Sequence, residues 1–582
     1  MDFKTIRYPG CDQVTLAGRL SARYQGNQRF LADIYETRKD WMLEPFQNRG
    51  QEWVIEPLRN KKGELPWAGE YAGKWLDAAS LSAADSHGEQ LGMYARTFAE
   101  ALIATQEIDG YLGIEVPAKR GAGSEWDTWN VKYAMTGLLT HYEAHQDKTS
   151  LHAAVRCGEW LINQFGMVSD SDHPFFSGPM DGGVNVNILD QFARLYRFTG
   201  DRNFLEFAST VVAYYPPIAR MRSTHQAPFW HAYNLAGYLC GVVELAIADN
   251  RKEELFWVEK VWEDLTGRHV YPTGSLGFNE LLGESAPNDT PVFDGQPERH
   301  HQETCATVEW LLFNALLYQA TGRVRYVESM EQTIYNALLA AQSLDGMKWM
   351  YFTPLRYEKR WFTGPTSCCY YSGPRGIARL PEWVYALDNE GIRVNLYESS
   401  EARFLLEGVE VILKQSSFYP DLGKVILQIQ PETTLSFILR LRIPSPAGET
   451  HIKINGDPIP GEPEGDGYCR IQRQWSKGDQ VVMEFDIPVA VHQFLSHQYG
   501  VLVRGPEVLA VDQCDNASLN INDIVLAEGV ILNSIDPVDG RRRYMGDVSV
   551  AGQATQVIFT PYADSGSEGS LFRTAFPVIL RK

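Results

Sequence analysis

A helical domain closed on itself, followed by a β-sandwich region, is the fold class this sequence predicts: a multidomain α+β architecture. Three observations carry that prediction. A hairpin of helix, polar turn and helix recurs at Tyr142 to Leu151, Tyr196 to Leu205, Ala248 to Leu255 and Tyr318 to Tyr326. The first three copies follow one another at about fifty residues, which is one helical hairpin per repeat. The flanking segments 83 to 107, 130 to 166, 185 to 214, 230 to 266 and 304 to 342 place apolar residues at helical spacing, as in Phe192, Leu195 and Tyr196. Beyond residue 388 the texture changes. Arg393 to Tyr397, Val409 to Leu413, Lys424 to Ile429 and Phe437 to Ile443 have strand composition with turn-rich boundaries.

In chain order, the first forty residues, with Val14-Thr-Leu-Ala-Gly18, are expected to add strands to the sandwich or to a rim of the helical domain. Residues 1 to 388 then form the helical domain. Gly200 and Gly322 stand where a helix C-cap needs a left-handed residue. Gln106 to Gly113 and the long connection from 267 to 302 read as loops gathered at one mouth, which favours a closed toroid over an open solenoid. Residues 389 to 582 form the β region, with room for two sandwiches. Ser445-Pro-Ala-Gly448 and Pro460 to Gly467 mark loops within it.

With 582 residues and 44% hydrophobic content, the chain can bury large cores without small-protein staples. No stretch of eighteen apolar residues occurs, and Met1-Asp-Phe-Lys-Thr-Ile-Arg7 lacks an apolar run behind a basic start, so the expectation is a soluble protein with no membrane partner. Eight cysteines without framework spacing point to a reducing cytoplasm. A formal net charge of -20 without a long Lys/Arg cluster argues against nucleic acid. Fifteen Trp and 28 Tyr suit the C-H faces of sugar rings, although core filling accounts for most of them.

The chemistry concentrates in a divided thiol cluster: Glu303-Thr304-Cys305 at one helical start, Cys368-Cys369 before another. Three sulfurs and a carboxylate are four donors of the kind Zn2+ takes in tetrahedral sets. The alternative is that these cysteines are small buried hydrophobes. Positions i and i+2 of a regular helix face apart, so Glu303 and Cys305 can share an ion only at a helix start. The polar His300-His301-Gln302 before them and the helical run from Ala306 to Leu317 support that placement. A helix N-terminus also favours a thiolate at Cys305. The vicinal pair lies between Gly364-Pro365 and Gly373-Pro374, where irregular backbone is expected to aim both sulfurs, with a helical segment following from Ile377 to Tyr385.

These pieces together resemble glycoside hydrolase family 127, the zinc-dependent cysteine glycosidases known as β-L-arabinofuranosidases. Matching motifs are Glu303-Thr-Cys-Ala306, Cys368-Cys369 with Ile377-Ala-Arg-Leu380, the Thr-Gly-Asp turns, Gln106 to Leu112, Tyr335-Asn-Ala-Leu-Leu339 and Arg504-Gly-Pro506. The resemblance implies an (α/α)6 barrel catalytic domain with C-terminal β-sandwich domains. It implies Zn2+ on Glu303, Cys305, Cys368 and Cys369, with Cys368 as nucleophile. The acid/base glutamate of the family lies in a Gly-Glu after a Thr-Gly loop, which here is Glu284, with Glu280 a neighbouring rival. His231 matches a family histidine that contacts sugar, and a buried structural histidine is its other reading. The implied reaction is retaining removal of a terminal sugar from a plant-derived oligosaccharide, in two steps through a thioglycosyl enzyme.

Some positions depart from the family. Val131 and Lys132 stand where relatives often carry a histidine, and the stretch from Asp181 to Asn187 lacks another. Lys132 would answer an acidic sugar. Tyr370-Tyr371-Ser372 follows the cysteine pair in place of a proline. Two further readings of the same architecture are a carboxylate-dependent lyase or uronyl hydrolase and a non-catalytic carbohydrate-binding protein with structural zinc. The β region is compatible with a homodimer.

Overall fold

The computed structural model describes residues 6–49, 65–83, 88–121, 126–180, 182–278, 280–282, 301–359, 361, 366–445, 447–494, 499–538, 541–567 and 569–579. Among the described residues, twelve of the helices of the N-terminal unit form its two rings: α1 (Arg19–Gln47), α2 (Glu70–Ser82), α3 (Glu89–Ile103), α4 (Asp127–His145), α5 (Lys148–Phe165), α6 (Leu189–Thr199), α7 (Arg202–Tyr214), α8 (Ala232–Asp249), α9 (Lys252–Arg268), α10 (Thr304–Thr321), α11 (Val324–Thr333) and α12 (Cys368–Ala378). Each even-numbered helix packs on the next, and α12 packs back on α2, so the six close into an inner ring. The odd-numbered helices form an outer ring, α1 lying against α2 and α12. This is an (α/α)6 barrel.

The turns explain the repeat. Gly200 and Gly322 end α6 and α10 at φ 73° and 67°, in the left-handed region. Asp147 and Asp201 then start the next helices, their carboxylates accepting from the backbone N–H of Thr149 and Asn203. Outer helices bury one stripe; α5 buries Ala153, Ala154, Cys157, Trp160 and Leu161 while its other face stays wet. Inner helices α2, α8 and α10 are buried over most of their length on every side. All thirteen residues of α2 are buried, Glu70, Lys74 and Asp77 among them. That polar content is paired: Arg375 of α12 binds Asp77 at 2.7 Å and Glu309 of α10 at 3.0 Å.

At the N-terminus the expected addition of a strand to the sandwich is seen, but it is confined to three residues and helix takes most of the rest of the first forty described. Among the described residues there, only Val14–Leu16 is a strand, pairing antiparallel with Ser400–Leu406, and from Arg19 the chain is helical. Leu20, Tyr24, Leu31, Ile34 and Tyr35 recur at helical spacing and are buried, which decides the segment in favour of α1. The start of α12 also differs from the irregular backbone anticipated there. Ser367 is an N-cap whose hydroxyl accepts from the Cys369 N–H, so the helix begins at Cys368 itself and continues through Pro374.

Strands take over from Tyr385–Asp388. One unit packs a seven-stranded sheet, which includes Val14–Leu16, with a four-stranded sheet built on Leu435–Arg442. A second unit is a ten-stranded sheet that recruits Arg356–Tyr357 from the barrel domain as its edge. Asn336 joins this unit to the barrel. Its amide donates to Pro506 O, and its oxygen accepts from Val508 N, both at 2.8 Å. Arg19 adds a 2.6 Å ion pair to Glu507.

Candidate active site

The four donors singled out in the sequence come together at one mouth of the barrel. One atom each of Glu303, Cys305, Cys368 and Cys369 lies within 4.8 Å of all the others. The Sγ atoms of Cys305 and Cys369 are 3.3 Å apart, those of Cys368 and Cys369 3.9 Å, and Cys369 Sγ is 3.8 Å from Glu303 Oε1. Local structure explains the convergence. Glu303 is the N-cap of α10, at φ -72° and ψ 132°, so its side chain leaves in a direction that a helical residue could not take. Its strand His301–Glu303 pairs with Phe352–Pro354, and Thr304 N donates to Tyr351 O at 3.0 Å. The first turn of α12 delivers the other two sulfurs.

The donor set fits a borderline-soft dication. Glu303 Oε2 is buried and has no hydrogen-bond partner among the described residues, which is the state of an oxygen waiting for a cation. Burial pushes Glu303, Cys305 and Cys369 well above their usual ranges. Four acids this close cannot ionise together in a dry site unless a positive charge joins them, and a bound dication supplies it. Cys368 behaves differently. Hydrogen bonds from Cys305 and Cys369, with Lys74 nearby, outweigh burial and hold it well below the usual thiol range. It is also the one member of the quartet that is only half-buried.

Around Cys368 lie Glu280 and His231, both singled out in the sequence, together with Tyr351, Glu70 and Lys74, which were not. Tyr351 OH is 3.8 Å from Cys368 Sγ and donates to Glu280 Oε1 at 2.6 Å. Glu280 Oε2 is 3.7 Å from His231 Nε2. The His231 imidazole 3.7 Å away and the hydrogen bond from Tyr351 keep the Glu280 carboxyl below its usual range despite partial burial. Glu70 and Lys74 form a buried ion pair one helical turn apart at 3.0 Å, and Trp129 Nε1 donates to the same Glu70 oxygen at 2.7 Å. The Lys74 ammonium lies 4.6 Å from the Tyr133 ring centre and 5.3 Å from that of Tyr233. A Glu-x-x-x-Lys spacing was the available signal for this pair. Tyr351 had none, being one aromatic residue beside a short strand.

The two departures from the family pattern also meet. Lys132 is buried beside the Trp129 and Tyr133 rings, and its ammonium donates to Asn187 Oδ1. Asn187 in turn donates to Asn234 O at 3.0 Å. Burial lowers the Lys132 pKa. His231 is placed beside Glu280, whereas Glu284, the expected acid/base, lies outside the described residues.

Three cysteines and a carboxylate that could hold a metal ion, with carboxylates and aromatic rings around them at the mouth of a helical toroid, define a barrel protein of the carbohydrate-active kind. The catalytic-domain model of the β-L-arabinofuranosidases of glycoside hydrolase family 127 matches residues 21–382, and that family's middle-domain model matches residues 391–487. The chain belongs to glycoside hydrolase family 127. A non-reducing end β-L-arabinofuranosidase of Bifidobacterium longum subsp. longum is 22% identical over 544 residues, covering 80% of each chain. Two solved structures share the fold. A GH127 β-arabinofuranosidase superposes with a TM-score of 0.83 at 21% identity, over 99% of this chain and 98% of that one. A GH127 β-L-arabinofuranosidase from Geobacillus stearothermophilus T6 gives 0.82 at 20% identity, over 97% and 100%.

Proposed function

We propose that this protein is a retaining exo-glycosidase that releases a terminal β-L-arabinofuranosyl or related sugar from plant-derived oligosaccharides, with Cys368 as nucleophile in a zinc-bound quartet. The observation that carries the reading is the unequal quartet. Three donors are sealed in the protein, while Cys368 alone is both acidic and half-open. Zn2+ held by Glu303, Cys305, Cys368 and Cys369 supplies the charge that keeps the sulfur ionised and oriented. In the first step Cys368 Sγ bonds to the anomeric carbon as the glycosidic C–O bond breaks, and a carboxylic acid gives its proton to the departing oxygen. In the second, water adds to the anomeric carbon, the C–S bond breaks and the proton returns to the carboxylate.

The acid/base role goes to Glu284 in this reading. A general acid needs a raised pKa, whereas Glu280 is held ionised by His231 and Tyr351, which suits it to accept a hydrogen bond from a sugar hydroxyl. The variants separate the two. Glu284→Gln should lose about 100- to 10,000-fold on an alkyl glycoside yet keep fast glycosylation with a dinitrophenyl leaving group, which needs no proton. Glu280→Gln should lose activity on both, mainly through KM. The reverse pattern would transfer the role to Glu280. Lys132 supports a second reading of the glycone. Its ammonium has an amide oxygen as partner and no carboxylate within 4.0 Å among the described residues, so an acidic sugar belongs in the same screen. Reduced thiols are what the quartet needs, and they underlie our assignment to the cytoplasm. A homodimer through the β region is the proposed assembly.

A further inference from the structure

His231 is also one wall of a groove of about 490 Å³ that none of the quartet lines. Its lining is apolar. Phe229, Trp230, Leu281, Met180 and three prolines form it, with Arg220 and His231 as the charged or titratable members. Phe229 is 64% exposed, Leu281 42% and Met180 37%, which makes a contiguous apolar surface that monomeric proteins rarely leave unemployed.

The groove is built rather than incidental. Trp230–His231 pairs with Leu281–Leu282, putting His231 opposite Leu281, and Ala232 N donates to Glu280 O at 2.8 Å. Trp230 Nε1 is buried, without a partner among the described residues, and its indole packs closely on Gly183. Met180 Sδ accepts from Asn234 Nδ2 at 2.7 Å, which ties the opposite edge to the Asn187–Lys132 pair inside the barrel.

Continuity with the catalytic cluster tells what lies there. From Cys368 Sγ the contacts run to Tyr351 OH at 3.8 Å, to Glu280 at 2.6 Å, and to His231 at 3.7 Å, which is itself a wall of the groove. Displacement at an anomeric carbon sends the leaving group away from the face that the sulfur attacks. The proposed glycosidase reading, on which this inference rests, needs a surface for the leaving group, and the groove is the apolar surface this run of contacts reaches. Phe, Trp, Leu and Pro surfaces bind flat apolar faces and offer few partners for a second sugar's hydroxyls. We propose that this groove is the leaving-group subsite of the enzyme and that it holds the apolar face of the aglycone, so that an aryl aglycone is bound more tightly there than a methyl group.

The test compares benzyl and methyl β-L-arabinofuranosides, whose alcohols are of similar acidity, so that KM reports contact rather than leaving-group chemistry. Wild type should show a KM about tenfold lower for the benzyl glycoside, and Phe229→Ala and Leu281→Ala should each narrow that gap. Both side chains are largely exposed, and a melting curve on each variant confirms the fold. Equal KM for the two glycosides in the wild type would overturn the proposal while leaving the glycosidase reading intact. Saturation-transfer NMR with benzyl alcohol gives a readout without turnover. A signal lost in Phe229→Ala, with neither glycoside hydrolysed, would support the groove and sink the glycosidase reading. Neither signal nor hydrolysis would overturn both.

Discussion

Lys74 is a cation with no water to fall back on. Its ammonium is satisfied by Glu70 and two tyrosine faces, while Glu70 Oε1 has no partner among the described residues. Removing one partner of such a pair strands the other charge, so Lys74→Met should cost about 3 to 5 kcal/mol of stability. Glu70→Gln in the same chain should recover part of it, and melting curves of the two single variants and the double variant read the coupling. A simple sum of the single effects would show that the pair does not act as a unit. Residues of this kind divide by how they announce themselves. Glu303, Cys305, Cys368 and Cys369 were legible because few uses exist for three thiols and a carboxylate. Glu70, Lys74 and Tyr351 were not, because their types are common and their roles arise only from what the barrel places beside them.

Helix α2 shows the same effect at the scale of an element. It went unread because every face is buried, so the 3.6-residue contrast between wet and dry faces that reveals α5 is missing from it. Its packing is set by glycine. A Cβ at Gly73 would lie 1.8 Å from Tyr133 O of α4, and one at Gly137 would lie 2.8 Å from Gly73 O. The two backbones therefore touch at that crossing. Gly73→Ala must push α2 away from α4, a strain of about 1 to 3 kcal/mol or more, and should displace Glu70 and Lys74 with it. Both the melting temperature and kcat should fall. A variant with wild-type values for both would refute the close contact. Helix α12 hid for another reason. Gly373 and Pro374 read as a break, whereas the Ser367 cap and tertiary packing carry the helix through them.

For the whole molecule, the barrel closes where α12 returns to α2, and the bond across that seam is Arg375 to Asp77, with Arg379 on the other oxygen at 3.0 Å. Burial raises the Asp77 pKa, but Arg379 and Arg375 overcome it and bring the group down to about 2. A depressed carboxyl stabilises the fold above its unfolded value and loses that contribution as pH falls toward the folded one. The loss is about 2 kcal/mol between pH ~4 and ~2. Melting of chelator-stripped protein across that window, where thiolate protonation cannot contribute, should show a smaller acid-induced drop in Asp77→Asn than in wild type; equal slopes would count against the seam. The toroid and the β region were readable from hairpin spacing and strand composition. The seam was not, since closure is a contact between distant ends of the domain. The central claim is that this closed barrel presents Cys368 as a nucleophile, and the most direct measurement is peptide mapping by mass spectrometry after incubation with a glycosyl-trapping substrate analogue. The account predicts a sugar-sized mass increment on Cys368, absent in Cys368→Ser, which should also be inactive. An adduct on another residue, or Cys368→Ser turning over near the wild-type rate, would contradict it.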